Sequence, residues 1–213
     1  MIKIQGKIPR KIYVACSGGP DSMAVANFLS RSHQVILCYF DHGTEFGKYS
    51  KNWLMEYSHE SNMDLIMSSP SRRKNSRESQ EEYWRNMRYE WFFSLPGVVV
   101  TAHHLDDCVE TWIWSSLHGD GKLIPYSNLN VVRPFRLNRK SEFIDWCERK
   151  NVPYLTDPSN QSNKYMRNLI RNEMMPHVLK VNPGIHKVIS KKINNDDRSQ
   201  GDTCIDTWCK FNV

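Results

Sequence analysis

The sequence predicts an α/β protein built on a doubly wound, five-stranded parallel sheet with helices on both faces. Three observations carry that expectation. Short apolar runs alternate with longer amphipathic stretches, the runs are apolar on both faces, and the first run enters a helical pattern through a glycine-rich bend. The strand candidates are KIYVACS (11–17), QVILCYF (34–40), DLIMS (64–68), VVVTAH (98–103) and VVRPF (131–135). Helical periodicity falls on 21–30, 49–60, 80–94, 106–117 and 140–150. It returns on 165–180, past a Pro/Ser/Asn-rich link at 155–163. The chain therefore divides into a main domain, 1–155, and a linker with a basic helical extension, 156–213. Right-handed crossovers bring the ends of the first, second and fourth strands to one rim, and those ends read SGGPDS, DHGTE and AHHLDD.

Composition narrows the class. With 213 residues, 39% of them hydrophobic and 11% aromatic, the chain fills one core of ordinary size with an appendage. No run is long enough to span a membrane, and MIKIQGKIPRK lacks the apolar stretch of a signal peptide, so a soluble, cytoplasmic protein is expected. Cys16, Cys38, Cys108, Cys147, Cys204 and Cys209 form no CxxC pair and read as free thiols rather than a disulfide framework. The net charge of +6 is uneven: residues 133–192 carry 13 Lys and Arg against 5 Asp and Glu. Either a polyanionic partner or a solvated basic surface accounts for it. The segment 68–79, with Arg72, Arg73, Lys74 and Arg77, reads as a mobile loop facing nucleic acid, and the tail from Asn194 as a frayed or partner-dependent end.

The bend SGGPDS is the most informative stretch. A helix N-terminus offers unpartnered N–H groups and partial positive charge. Gly18 and Gly19 let an oxyanion approach the backbone, Ser17 and Ser22 add hydroxyls, and Pro20 starts the helix without loss of a hydrogen bond. Asp21 would repel phosphate unless a divalent cation lies between them, so the bend is expected to cradle pyrophosphate with Mg²⁺. At the start of a later helix Asp106, Asp107 and Glu110 cluster, with Asp107 and Glu110 at i,i+3 on one face, able to hold Mg²⁺ or grip an ammonium group. Asp106 equally suits a helix cap. His103 and His104 point to opposite faces of a strand, one to pack and one to reach the cleft, while His42 fits a nucleotide contact or a structural role. Tyr83, Trp84, Trp91 and Phe92 read as core, as do Trp112 and Trp114 unless one is exposed to stack on a base.

SGGPDS is not a Walker A loop and resembles the SGGxDS loop of the PP-loop ATP pyrophosphatases, which cleave ATP between its α and β phosphates. Together with VVVTAHHLDDCVETW (98–112), QEEYWRNMRYEWF (80–92), RPF (133–135) and DPSNQSNKYMRNLIRNEMMP (157–176), it resembles the bacterial tRNA(Ile)-lysidine synthetase family over about residues 13–183. The resemblance implies an adenine nucleotide alpha hydrolase-like fold. It also implies ATP and Mg²⁺, a tRNA(Ile) with a CAU anticodon as partner, and L-lysine as second substrate. Lysine would be ligated to the wobble cytidine through an adenylated base, with release of pyrophosphate and AMP.

By that resemblance Ser17, Gly18, Gly19, Pro20, Asp21, Ser22 and His42 bind ATP, and Asp21 and Asp107 hold the metal. Asp107, Glu110, Arg85 and His104 are catalytic, Arg85 stabilising charge on the α-phosphate. Arg133, Arg167, Asn168 and Arg171 match family positions and contact tRNA, with Lys164 and Tyr165 beside them. Pairing with Asp157 or Glu173 is the other reading of these arginines. The chain departs from the family at His42-Gly43-Thr44-Glu45, where an arginine is usual, at His118-Gly119-Asp120-Gly121, and at Trp84. The chain also stops soon after Pro183, a short form whose grip on tRNA is abbreviated, completed by a homodimer, or different. Other classes remain open. A PP-loop cytidine thiolase is disfavoured by the missing CxxC. A small-molecule amide synthetase leaves the basic half unexplained, and intact Asp21, Asp107 and Glu110 disfavour a non-catalytic RNA- or nucleotide-binding module.

Overall fold

The computed structural model of the chain describes residues 1–161 and 166–200. In order, the chain forms β1 (Lys11–Ala15), α1 (Pro20–Ser30), β2 (Gln34–Phe40), α2 (Glu45–Ser61), β3 (Asp64–Ser68) and α3 (Gln80–Ser94). It continues with β4 (Val99–Val100), α4 (Leu105–Ser116), β5 (Ser127–Asn128), β6 (Val131–Val132) and α5 (Lys140–Lys150). Beyond a 3-10 turn (Pro158–Gln161) lie α6 (Met166–Leu169), a π turn (Ile170–Met174), α7 (Met175–Val181) and α8 (Ile185–Gln200).

The five expected strands are present and parallel, in the order β3-β2-β1-β4-β6. A sixth, β5, adds an antiparallel edge to β6; two polar residues carry no strand pattern, so it was not foreseen. β4 and β6 are shorter than their apolar runs. Tyr13 N donates to Val98 O at 2.9 Å and Thr101 N to Val132 O at 3.0 Å, but Pro134 has no N–H to extend the ladder.

Alternation along the strands separates two cores. Ile12, Val14, Val100 and Val132 face α1 and α5, packing with Met23, Leu29, Phe135 and Phe143. Tyr13, Ala15, Val99 and Val131 face α3 through Tyr89 and Phe92. Each such fully buried aliphatic side chain contributes about 1.5–3 kcal/mol of hydrophobic transfer. A further core joins the extension to α4: Leu105, Cys108, Val109 and Ile113 meet Ile170, Met175, Ile185, Ile189 and Ile193.

Three expectations are corrected. Residues from Asn194 are not frayed up to Gln200, because α8 continues through them and Asp197 accepts two hydrogen bonds from Arg136 Nη2, at 2.9 and 2.8 Å. The loop at 68–79 is held by its own contacts: Arg72 Nη1 donates to Glu78 at 2.8 Å, and the Tyr83 hydroxyl donates to the Arg72 carbonyl. The single helix expected over 165–180 is broken by the π turn ahead of Pro176, a residue without an N–H whose ring crowds the carbonyl four positions earlier. Lys164, Tyr165, Cys204 and Cys209 lie outside the described residues. The other four cysteines are free and buried. Among the described residues no helix is long and apolar enough to cross a membrane.

Candidate active site

The strand order reverses between β1 and β4, and a doubly wound sheet opens its ligand crevice at such a point. The bend after β1 and the N-terminus of α4 both border it. Gly18 adopts φ +83°, and a Cβ there would lie 3.2 Å from Leu155 Cδ1, so both backbone shape and space require glycine. Leu155 N donates to Gly18 O at 2.8 Å, tying the later linker to the bend. Gly19 caps α1 with extended backbone and no side-chain bond, leaving the first-turn N–H groups to a ligand. The two serines divide their work. Ser22 is buried and braces the bend, accepting from Ser17 N at 3.2 Å and donating to Gly19 O at 3.0 Å. Ser17 is exposed.

His104 connects this bend to α4. Its ring is 1% exposed and caps the helix, Nδ1 accepting from Asp107 N at 3.2 Å, while Asp107 Oδ2 accepts from His104 N at 3.0 Å. That cap requires the Nδ1 lone pair and leaves the ring proton on Nε2, which lies 3.7 Å from Asp21 Oδ2. Burial alone would lower the His104 pKa, but Asp107, Asp21 and Asp106 outweigh it and the net direction is up. Asp21 and Asp107, 86 residues apart, thus flank one imidazole.

Beyond His104 lies a four-ion knot. Arg167 donates to Asp107 Oδ1 at 2.8 Å and to Glu110 Oε2 at 3.1 Å; Arg171 donates to Glu110 Oε1 at 2.7 Å and Oε2 at 2.9 Å. Burial would raise the Asp107 pKa, yet Arg167 foremost holds it down at about 2. Arg167 and Arg171 are therefore inside the acidic site instead of on Asp157 or Glu173. Asn168 beside them donates to Ser159 O at 3.1 Å. Asp106 is structural: it accepts from Lys140 N at 2.8 Å and pairs with Arg139 at 3.1 Å and His186 at 3.1 Å.

On α3 the two arginines diverge. Arg85 is exposed, its guanidinium 4.8 Å from the centre of the Tyr89 ring. Arg88 is half-buried and reaches His42 Nε2 at 3.5 Å, with no carboxylate within 4.0 Å among the described residues. Arg88 thus reaches the end of β2, which its place three residues after Arg85 does not announce. Burial first and Arg88 second lower the His42 pKa to about 4, and burial lowers that of His103 to about 3, so both rings are neutral. Arg133 is corrected: it is 2% exposed and donates to Pro125 O at 3.0 Å and Tyr89 Oη at 3.1 Å, so it faces the interior and offers no surface to RNA. The departure at Thr44-Glu45 has a local use, since Thr44 Oγ1 accepts from Gly47 N at 2.9 Å and caps α2.

The donor set suits Mg²⁺ at one of its two expected ligands. Asp21 Oδ1 is buried without a hydrogen-bond partner, as a carboxylate awaiting a hard cation would be. Both Asp107 oxygens are engaged, by His104 N and by Arg167. Among the described residues no three His, Cys, Asp or Glu form a metal-holding group. Mg²⁺ commonly rests on one or two carboxylates plus substrate phosphates, and Asp21 fits that pattern.

The chain is 26% identical over 201 residues to the tRNA(Ile)-lysidine synthase of Thermotoga maritima, covering 86% of this chain and 49% of that protein. It is 31% identical over 188 residues to the synthase of the same name from Staphylococcus aureus, covering 78% and 44%. The chain thus spans about half the length of the curated relatives it matches. Among solved structures, the NH3-dependent NAD synthetase of Campylobacter jejuni superposes with a TM-score of 0.50 at 11% identity, covering 89% of this chain and 86% of that one, and shares the fold. The PP-loop domain profile matches residues 2–178, and the chain belongs to that family.

Proposed function

We propose that this chain is the ATP-binding catalytic module of a tRNA-modifying ligase that joins lysine to the wobble cytidine of a CAU-anticodon tRNA(Ile). The observation that carries the reading is the His104 ring between Asp21 and Asp107, which couples the phosphate cradle to the acidic helix end. The name borne by the relatives supports the choice of substrates. In the first step the cytosine carbonyl oxygen attacks the α-phosphorus of ATP, and the bond to the β-phosphate breaks. The first-turn N–H groups of α1 and the Ser17 hydroxyl receive the leaving pyrophosphate. Asp21 would hold Mg²⁺, which supplies neutralisation of phosphate charge. Arg88, with Arg85 near it, offers positive charge to the transferred phosphoryl oxygens. In the second step the lysine ammonium gives one proton to solvent, the resulting amine attacks the activated base carbon, the carbon–oxygen bond breaks, AMP departs with that oxygen, and a second proton on the nitrogen passes to solvent.

Asp107 and Glu110 orient the lysine ammonium by exchanging one guanidinium for it, so that the buried carboxylates never lack a cation. An arginine released in this exchange becomes available to a phosphate of nucleotide or RNA, which reconciles its ion pair with the expected tRNA role. The test is incubation with ATP, radiolabelled lysine and a CAU-anticodon transcript, followed by mass analysis of the nucleosides. Label in the RNA with matching AMP and pyrophosphate is expected. AMP formation with modification by another group would assign a different PP-loop chemistry, and no AMP with any RNA would refute the reading.

A further inference from the structure

We infer that Trp84 is a positioning residue: with Phe40 it clamps the His42 ring, so that the imidazole aims the Arg88 guanidinium at the transferred phosphoryl group and leaves its charge intact. The phosphoryl role of Arg88 rests on the ligase reading above. The groups meet because α3 presents Trp84, Arg88 and Trp91 at i, i+4 and i+7, one face of a helix. That face lies against the end of β2. There the His42 ring is 5.1 Å from Phe40 at 58° and 5.1 Å from Trp84 at 44°. Phe40 in turn lies 5.9 Å from Trp91. Phe40, Tyr83 and Met87 form a buried cluster against which Trp84 and Trp91 pack. The imidazole is thus gripped by two rings, one from β2 and one from α3.

Hydrogen-bond chemistry fixes what the ring does. Arginine only donates, so the 3.5 Å contact of Arg88 Nη1 with His42 Nε2 requires a lone pair on that nitrogen. In a neutral ring the proton then sits on Nδ1, which is buried without a hydrogen-bond partner. A buried donor left unpaired lowers stability, and a phenylalanine in its place would not. Histidine at this position therefore serves through its Nε2 acceptor. A neutral acceptor fixes the direction of a guanidinium and cancels none of its charge, whereas a carboxylate would do both. Among the described residues no carboxylate lies within 4.0 Å of Arg88. Burial foremost, with Arg85 and Arg167 beside it, lowers the Arg88 pKa, so an anion received among these three guanidiniums would relieve their repulsion.

Trp84 is also a position where the chain departs from the lysidine synthetases. Without the indole, His42 would lose one of its two ring contacts and gain water, which favours the imidazolium. A protonated ring has no lone pair for Arg88 and repels it. Arg88 on α3 opposes that protonation and Asp41, beside His42 in the chain, favours it. The bulk of Trp84 therefore reaches the reaction through two other side chains, with no contact of its own to the phosphates.

The test uses the full chain and two readouts: AMP formation from ATP with lysine and a CAU-anticodon transcript, and the His42 pKa by NMR. Trp84→Ala is expected to lower kcat about 10- to 100-fold, the cost of misplacing a reacting group by about 1 Å, with little change in KM for ATP. Its His42 should titrate higher, moving from about 4 toward 6.5. Trp84→Phe should restore both. His42→Phe, which keeps the ring packing and removes the acceptor, should lower kcat as much, and adding Trp84→Ala to it should cost little more. An unchanged kcat in Trp84→Ala overturns the clamp. A raised KM with His42 unmoved overturns it too, because Trp84 would then touch the nucleotide directly. If Trp84→Ala does not fold, His42→Phe decides: lowered kcat supports the clamp and full kcat refutes it. A wild-type chain that forms no AMP removes the ligase reading; the clamp is then judged on the NMR shift alone, and an unmoved His42 refutes it.

Discussion

Replacing Glu110 with glutamine removes one charge from the four-ion knot and hardly alters its volume. Glu110 is 3% exposed and accepts from Arg167 and twice from Arg171. Breaking a fully buried pair by deleting one partner costs about 3–5 kcal/mol, because the other charge is stranded. Here the stranded side chains are not fully buried: Arg167 is 43% exposed and Arg171 30%, and Asp107 still accepts from both. Water and Asp107 recover part of the loss, which leaves about 1–3 kcal/mol, or a fall in Tm of roughly 2–12 °C for a chain of this size. Urea unfolding of Glu110→Gln should show a lower midpoint at unchanged slope. Combined with Arg171→Met, the two substitutions should be less damaging than their sum by about 1 kcal/mol or more. Full additivity with an unaltered midpoint would show that the knot does not form, and the packing of the π turn on α4 would be wrong.

Asp21→Asn should abolish AMP formation while leaving urea stability close to wild type; full turnover would remove Asp21 as metal ligand. Gly18→Ala should lower stability by about 1–2 kcal/mol and weaken ATP binding, because φ +83° is disfavoured with a Cβ and Leu155 stands in its way. Unchanged affinity by calorimetry would contradict the cradle. His42 and His103 have native pKa values lowered to about 4 and 3 from 6.5. The native state therefore resists protons that the unfolded chain accepts. Their contribution is complete above pH 6.5 and is lost as pH falls through 6.5 toward those values. NMR titration should find both rings neutral at pH 6, and a ring titrating near 6.5 would refute its burial.

The main sheet was legible because β1 and β2 repeat a two-sided apolar pattern that only a covered parallel sheet satisfies. The bend between β1 and α1 was legible for a similar reason, since Gly18 and Gly19 before Pro20 serve a backbone shape that the structure adopts. What could not be read were contacts across long sequence separations. Nothing in the spacing joins Arg136 to Asp197 or Arg167 to Asp107, and helical periodicity cannot decide whether Arg85 or Arg88 turns toward β2. Arg133 was assigned to tRNA because it matches a family position, and no local pattern says that the Tyr89 hydroxyl receives it in the interior.

The same long-range pairs change what the charge asymmetry means. The excess of Lys and Arg between 133 and 192 suggested a polyanion partner, yet its arginines are largely engaged within the protein. Arg133 is bonded to Tyr89, Arg136 to Asp197, Arg139 to Asp106, and Arg167 and Arg171 to the α4 carboxylates. The charge left facing solvent is mainly lysine: Lys150, Lys180, Lys187, Lys191 and Lys192 are exposed on α5, α7 and α8. Lysine is a flexible point charge suited to a phosphate backbone and poor at bidentate recognition. Any attraction of RNA by this half should therefore weaken steeply with salt and carry little sequence preference. Selectivity then has to come from groups held rigidly near the acidic helix end.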